Sequence, residues 1–153
     1  MSVDTMARLF ELKNIAGVKD ATGDPNRIDE TLKKLGPDFI QLTGEDGFAL
    51  EFNKRGGVGI ISVTANIAPK LCSDFQNYSK SETDNEIKEA ERIDQILQPI
   101  HKSLFIESNP APVKYAAKLL GLCGDEIRLP LVKIKKETEN HVKKALLAAK
   151  LLS

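Results

Sequence analysis

The sequence has few of the residues that mark metal sites, disulfide scaffolds or nucleic-acid binding. Its 153 residues include two cysteines and two histidines, without the pairing of a disulfide framework or the spacing of metal ligands. Lysine and arginine total 22, as do aspartate and glutamate, so the chain lacks the basic surface of a dedicated nucleic-acid binder. No apolar run approaches the roughly 20 residues that span a membrane, and no signal-peptide region opens the chain. We therefore expect a cytoplasmic protein with no metal, membrane or nucleic-acid partner.

What the sequence does contain is the composition of one folded domain. Hydrophobic residues make up 41% and charged residues 29%, which is typical of a globular protein and not of a disordered one. Apolar runs at residues 15–19, 39–43 and 58–63 alternate with helical segments. This spacing predicts an α/β fold with parallel strands and right-handed crossovers.

Helix boundaries follow from capping residues and from glycine and proline. Ser2 is expected to cap a first helix that ends at Asn14, and Asp24 with Pro25 predicts the start of the helix after the first strand. A short helix over residues 48–54 is expected to end at a glycine pair. Beyond residue 68 only helices are predicted, over residues 69–79, 82–104, 113–120 and 137–152.

Lys19 is the strongest candidate for chemistry. It is the last residue of an apolar strand. A lysine at such a position is unusual, because a charged side chain is seldom buried without a partner. In an α/β barrel the carboxyl ends of the strands form the active-site face. A lysine whose stem lies in an apolar interior has a lowered pKa, and its neutral amine can form a Schiff base with a carbonyl. The alternative is that Lys19 leaves the strand and reaches solvent.

Other polar residues near strand ends have simpler interpretations. Gly44 lets a ligand approach the backbone at the end of the second strand, whereas Glu45 and Asp46 are expected to lie in a solvated loop, with Asp46 capping the next helix. Capping also explains Asn66 and Asn109. The two histidines, His101 and His141, are expected to be surface or packing residues. The two cysteines, Cys72 and Cys123, are expected to be buried thiols.

Five stretches together resemble one known family. They are GVKDATGD (residues 17–24), LTGED (residues 42–46), GGVGIISVTAN (residues 56–66), LFIESNPAPVK (residues 104–114) and RLPL (residues 128–131). Their order and spacing are similar to those of the C-terminal half of dihydrodipicolinate synthases, in the superfamily that includes N-acetylneuraminate lyase. The last two stretches are closer to the synthases than to the sialic-acid lyases.

The resemblance implies a partial TIM barrel, (β/α)8, followed by a C-terminal helical extension. The three strands correspond to barrel strands six to eight. Residues 1–66 form the partial barrel, and residues 67–153 form the last barrel helix and the extension, in one structural unit. Five apolar side chains are expected to face the barrel interior: Val18, Ile40, Leu42, Ile60 and Val63.

The resemblance also implies site residues and a chemistry. Lys19 corresponds to the nucleophile that forms a Schiff base with pyruvate, Ile61 offers its backbone carbonyl near the reacting centre, and Gly44 lines the pyruvate pocket. The enamine then attacks aspartate semialdehyde, a lyase-type condensation in lysine and diaminopimelate biosynthesis. The covalent Schiff base replaces any separate cofactor.

The same resemblance places part of the catalytic machinery outside this sequence. A complete barrel needs about 250 residues, and the family's threonine pair, catalytic tyrosine and substrate arginine lie in strands one to five. Neither Tyr78 nor Tyr115 matches that tyrosine. The chain is therefore either half of an enzyme completed by an N-terminal half-barrel chain, or a catalytically inactive truncated paralogue or interaction module. A homo-oligomer is expected in either case, because exposed strand edges favour pairing.

Overall fold

The first helix is held by the predicted cap but is shorter than predicted. The computed structural model describes all residues, 1–153. Helix α1 spans Val3–Phe10, and the Ser2 hydroxyl accepts a hydrogen bond from the Thr5 N–H. The helix does not reach Asn14, because residues 11–14 are all exposed and offer no apolar face that would be buried by extending it.

Three parallel strands form one sheet in sequence order, as predicted. Strand β1 spans Gly17–Asp20, β2 spans Ile40–Thr43 and β3 spans Gly59–Ile60. Lys19 pairs with Leu42, which pairs with Gly59. Strand β3 has two residues, not the six of its apolar run, because the chain turns away from the sheet into a 3₁₀ turn at Thr64–Asn66.

The crossover helices begin and end near the predicted residues. Helix α2, Pro25–Leu35, is capped by Asp24, whose carboxylate accepts the Asn26 N–H at 3.0 Å. A 3₁₀ turn at Asp46–Phe48 leads into helix α3, Ala49–Lys54.

The remainder of the chain is helical and holds the main core. Helices α4 to α7 span Pro69–Tyr78, Asp84–Leu104, Ala111–Leu119 and Lys136–Ala148. Helix α5 lies at the centre of this core and contributes four of its most buried side chains, Ile93, Leu97, Ile100 and Leu104. No helix has both the length and the apolar character needed to cross a bilayer.

The two faces of the sheet differ sharply. Successive side chains of a strand point to opposite faces, and on β2 the helix-covered face carries Gln41 and Thr43, which are 6% and 1% exposed. The opposite face carries Lys19 with Ile40, whose side chain is 44% exposed. No element of this chain covers that face.

The prediction of inward-facing side chains was therefore wrong for two of five residues, Val18 and Ile60. Val18 packs with the small cluster of Val3, Met6 and Phe39. Ile60 packs against the main helical core, whereas Val63, beyond the strand, contacts that core and also lies beside Lys19 in an open cleft. Because side chains alternate along a strand, Val18 and Ile60 lie on the face opposite Lys19. Ile40 and Leu42 lie on the same face as Lys19, as predicted.

Two isoleucine-to-alanine substitutions should distinguish the faces. Ile28 of α2 is 4% exposed, so Ile28→Ala should lower the free energy of unfolding by about 2–5 kcal/mol. Ile40→Ala should lower it by about 1 kcal/mol or less, since much of that side chain is already in water. Urea denaturation measures both. Equal losses would show that another molecule covers the open face in solution.

Candidate functional site

Lys19 projects from the carboxyl end of β1 on the open face of the sheet. It is the third of the four strand residues, and its side chain is exposed. None of the ion pairs in the chain includes it. The structure thus presents an unpaired amine where the sequence predicted one, but without the apolar enclosure that would favour its neutral form.

The residue next to Lys19 fixes the end of the strand. Asp20 points to the opposite face, where its carboxylate accepts the Thr22 N–H at 2.8 Å and a hydrogen bond from Arg27 Nε. Partial burial raises the pKa of Asp20, but the bonds from Thr22 and Arg27 outweigh it and hold the pKa below its ordinary value. An ionised Asp20 therefore anchors the loop that follows β1.

Gly44 lies directly under the Lys19 side chain. A Cβ at residue 44 would overlap Lys19 Cε and lie 3.1 Å from Lys19 Nζ and 3.0 Å from the Ala21 Cβ. The φ angle of Gly44 is outside the left-handed region, so the need for glycine here is steric. Gly44 contacts Lys19, and other residues line the cleft beside it. That Gly44 lines the pyruvate pocket stays a prediction.

An open cleft of about 450 Å³ joins Lys19 to the helical part of the chain. Ile61, immediately after β3, lines it, and its N–H donates to the Thr43 carbonyl at 2.9 Å. The structure thus brings two of the three predicted site residues, Lys19 and Ile61, to one cleft. Helix α6 and the loops around it complete the lining with Asn109, Pro110, Val113, Lys114, Ala117, Leu122 and Cys123.

Several polar cleft residues were interpreted from sequence only as caps or were not singled out. Asn66 does donate to the Val63 carbonyl, at 2.9 Å, as a local turn residue would, but it also lines the cleft together with Asn109 and Lys114. Their place in the cleft could have been suspected from the sequence, because all three lie in the stretches 56–66 and 104–114 that carry the family resemblance.

Asp46 is buried and does not cap the next helix, contrary to the sequence prediction. It is 2% exposed, and its carboxylate accepts hydrogen bonds from the Ser62 hydroxyl and, at 2.9 Å, from the Val63 N–H. Thr64 and His101 lie beside it and share a 2.7 Å hydrogen bond. The cap was predicted from local sequence, whereas the actual partners are 16 and 17 residues away.

The two cysteines have different environments. Cys72 of α4 is buried as predicted, and burial raises the pKa of its thiol to about 11, with nearby Asp46 adding to the effect. Cys123 is exposed, so its predicted burial was wrong. It follows α6 in a segment, residues 121–124, in which every residue is exposed.

The comparisons with known proteins agree on one family. The model of the dihydrodipicolinate synthetase family matches residues 1–149. The 4-hydroxy-tetrahydrodipicolinate synthase of Pelagibacter ubique is 70% identical over 152 residues, covering 99% of this chain and 52% of that protein. The protein of the same name from Parvibaculum lavamentivorans is 51% identical, covering 100% and 52%.

Solved structures give the same result. Dihydrodipicolinate synthase from Aquifex aeolicus superimposes with a TM-score of 0.91 at 37% identity, over 98% of this chain and 50% of that one. The chloride-inhibited dihydrodipicolinate synthase from Acinetobacter baumannii, complexed with pyruvate, superimposes with a TM-score of 0.91 at 38% identity, over 99% and 51%. The chain spans about half the length of the curated relatives it matches.

Substituting Gly44 should move Lys19 without unfolding the chain. In Gly44→Ala the new methyl group displaces a flexible lysine, so we expect a changed rate of Lys19 reductive methylation, measured by peptide mapping, with little change in stability. Gly36→Ala is the control and should leave the Lys19 rate unchanged. Its Cβ meets nothing within 4 Å, but its φ of 83° with a ψ of 178° is a glycine conformation, so alanine there should cost about 1–3 kcal/mol. An unchanged Lys19 rate in Gly44→Ala would contradict the contact.

His101 should make stability depend on pH. Burial lowers its pKa below the ordinary value, although Asp46 and Asp94 act in the opposite direction. Below about pH 6.5 the unfolded chain binds a proton that folded His101 resists, so the free energy of unfolding should fall as pH decreases. Thermal unfolding between about pH 5.5 and 7.5 should show a steeper slope for wild type than for His101→Gln. Equal slopes would contradict this assignment.

Proposed function

This chain belongs to the dihydrodipicolinate synthetase family, and from that premise we propose that it carries the Schiff-base lysine of a pyruvate-dependent 4-hydroxy-tetrahydrodipicolinate synthase. The observation that supports this most strongly is the placement of Lys19. Its amine lies at the carboxyl edge of a parallel sheet, beside a cleft that also contains Ile61, and this edge is where barrel enzymes place their catalytic groups. Pyruvate is the compound complexed with the Acinetobacter baumannii relative.

The proposed reaction uses Lys19 as the covalent carrier. Its neutral amine adds to the ketone carbon of pyruvate, and loss of one water molecule with uptake of one proton from solvent leaves an iminium ion. Loss of a methyl proton then gives an enamine, which attacks the aldehyde carbon of aspartate semialdehyde. The iminium nitrogen, which comes from Lys19, accepts the electron pair that remains when the methyl proton leaves. The proposed reaction therefore needs no separate cofactor.

The half of the barrel present here is proposed to be the C-terminal half, with β1 to β3 as strands six to eight. No strand follows β3, and four helices do, which fits the last strand of a barrel and its helical extension. In this assignment residues 1–66 are the barrel part, and residues 67–153 are the last barrel helix and the extension.

A complementary chain is proposed to complete the site. The outer edges of β1 and β3 have no partner strand, and unpaired edges favour pairing with another chain. Ile40 and Ile61, 44% and 52% exposed, lie on or beside the open face, and covering them would exclude water from Lys19. An N-terminal half-barrel chain fits this surface, and a second copy of this chain is the other candidate.

The exposure of Lys19 favours a second function class for the chain by itself. Lys19 is exposed and lacks the enclosed apolar pocket in which a Schiff-base lysine is activated. Without a completing chain, the protein is proposed to be a catalytically inactive truncated paralogue whose open sheet serves as an interaction surface.

Borohydride trapping separates these proposals. The purified chain is incubated with pyruvate and borohydride, alone and after co-expression with the half of the Pelagibacter ubique relative that it does not match. We expect a reduced adduct on Lys19, found by peptide mapping, only in the completed sample. Lys19→Ala should abolish the adduct, and Lys13→Ala, an exposed lysine outside the cleft, should keep it.

Each outcome of the trapping experiment has a distinct meaning. Labelling of Lys19 in the chain alone would show that this half already encloses a reactive amine. Labelling of Lys114, which lines the same cleft, would show that the wrong nucleophile was assigned. No labelling in either folded sample would favour the inactive paralogue.

A further inference from the structure

The wall of the cleft opposite Lys19 is not held by the sheet. Strand β3 ends at Ile60, and the Ile61 N–H makes the last hydrogen bond to β2, at 2.9 Å from the Thr43 carbonyl. The next residues, 62 and 63, line the cleft but have left the strand. The Asn66 N–H donates to the Val63 carbonyl at 3.1 Å in the turn that follows, and the other hydrogen bonds of these two residues come from side chains.

The carboxylate of Asp46 supplies those bonds from behind the wall. One oxygen accepts the Ser62 hydroxyl and the other accepts the Val63 N–H at 2.9 Å. Ser62 Oγ in turn accepts the Ala65 N–H at 2.9 Å. One carboxylate thus holds, directly or through Ser62, three hydrogen-bond donors within residues 62–65.

The charge of Asp46 is balanced by hydrogen bonds and not by a basic side chain. The carboxylate is 2% exposed, and its closest basic group is His101 Nδ1, at 3.9 Å. Burial lowers the pKa of His101, which favours the neutral ring. A buried carboxylate without a cation requires its donors in place, so loss of either donor is strongly unfavourable and the loop is held tightly.

Helix α5 connects this arrangement to the main core. His101 shares a 2.7 Å hydrogen bond with Thr64, which is fully buried, and the adjacent Ile100 is also 0% exposed. The loop after β3 is therefore attached both to the loop after β2, through Asp46, and to the central core helix α5, through Thr64.

We propose that Asp46 is a positioning residue for the Lys19 site, holding residues 62 and 63 in place in the wall of the cleft that Lys19 also lines. The proposal rests on the proposed function of Lys19. Only a carboxylate offers two acceptors to the Ser62 and Val63 donors at once. Asparagine has a single oxygen and no charge, so at most one of the two donors keeps an acceptor oxygen, and the NH2 group can face only the Ser62 hydroxyl, as a donor. Asp46→Asn therefore removes the charge-assisted character of both bonds and weakens the hold on the loop.

Amide hydrogen exchange on the full chain tests the anchor directly. In Asp46→Asn the amides of Val63 and Ala65 should exchange at least about tenfold faster, as expected for loss of a hydrogen bond to a charged group, while amides in the centre of α5 keep their wild-type rates. Ser62→Ala is a milder change. It should accelerate hydrogen exchange of the Ala65 amide more than that of the Val63 amide, because the Ala65 N–H donates to Ser62 Oγ. Asp38→Asn, at an exposed carboxylate, is the matched control and should change neither.

Two exchange results would overturn the proposal. Equal acceleration of the loop and α5 amides in both Asp46→Asn and Ser62→Ala would show a purely global effect on stability. Unchanged rates at Val63 and Ala65 would show that the carboxylate does not hold the loop.

Pyruvate trapping on the same variants then tests the effect on Lys19. Asp46→Asn should lower the rate of Lys19 labelling at least about tenfold in the completed sample, and Asp38→Asn should leave it unchanged. Wild-type labelling of Asp46→Asn despite a loosened loop would refute a positioning role. If wild type is not labelled at all, the proposed function fails, and the exchange rates alone decide whether Asp46 is an anchor.

Discussion

A parallel sheet must be covered on both faces, and this chain covers only one. Parallel strands bury both faces because their crossover helices pack against them. Here α2 and α3 cover the face of Gln41 and Thr43, while the face of Lys19 and Ile40 stays open. The accessibility of Lys19 and the exposure of the Ile40 side chain both follow from this one deficit.

Much of the fold was predictable because its signals are local. The caps Ser2 and Asp24 are read from adjacent residues, and the structure confirms both. The apolar runs located all three strands and their parallel order. The length of β3 was not predictable from its apolar run. The chain leaves the sheet where Ser62 and Val63 donate hydrogen bonds to the Asp46 carboxylate, which is distant in sequence.

The candidate site was predictable only in part, because some of its contacts join residues that are far apart in the sequence. Lys19 and Ile61 were found through the sequence motifs that contain them, and the structure places both in one cleft. Asp46 was interpreted as a helix cap because its true partners, Ser62 and Val63, belong to the next strand–loop unit. The faces of Val18 and Ile60 were misassigned because a one-residue shift in strand phase exchanges the two sides.

The uneven distribution of the core has a consequence for how the chain moves. Fifteen buried residues form the main cluster and lie from α3 to α7, whereas only Val3, Met6 and Phe39 form the cluster beside β1. Local opening begins where the fewest apolar contacts must be broken, so the strand that carries Lys19 belongs to the least cooperative part of the molecule. Any molecule that covered this end would bury the apolar side chains around β1, and the free energy needed to open this strand locally would rise.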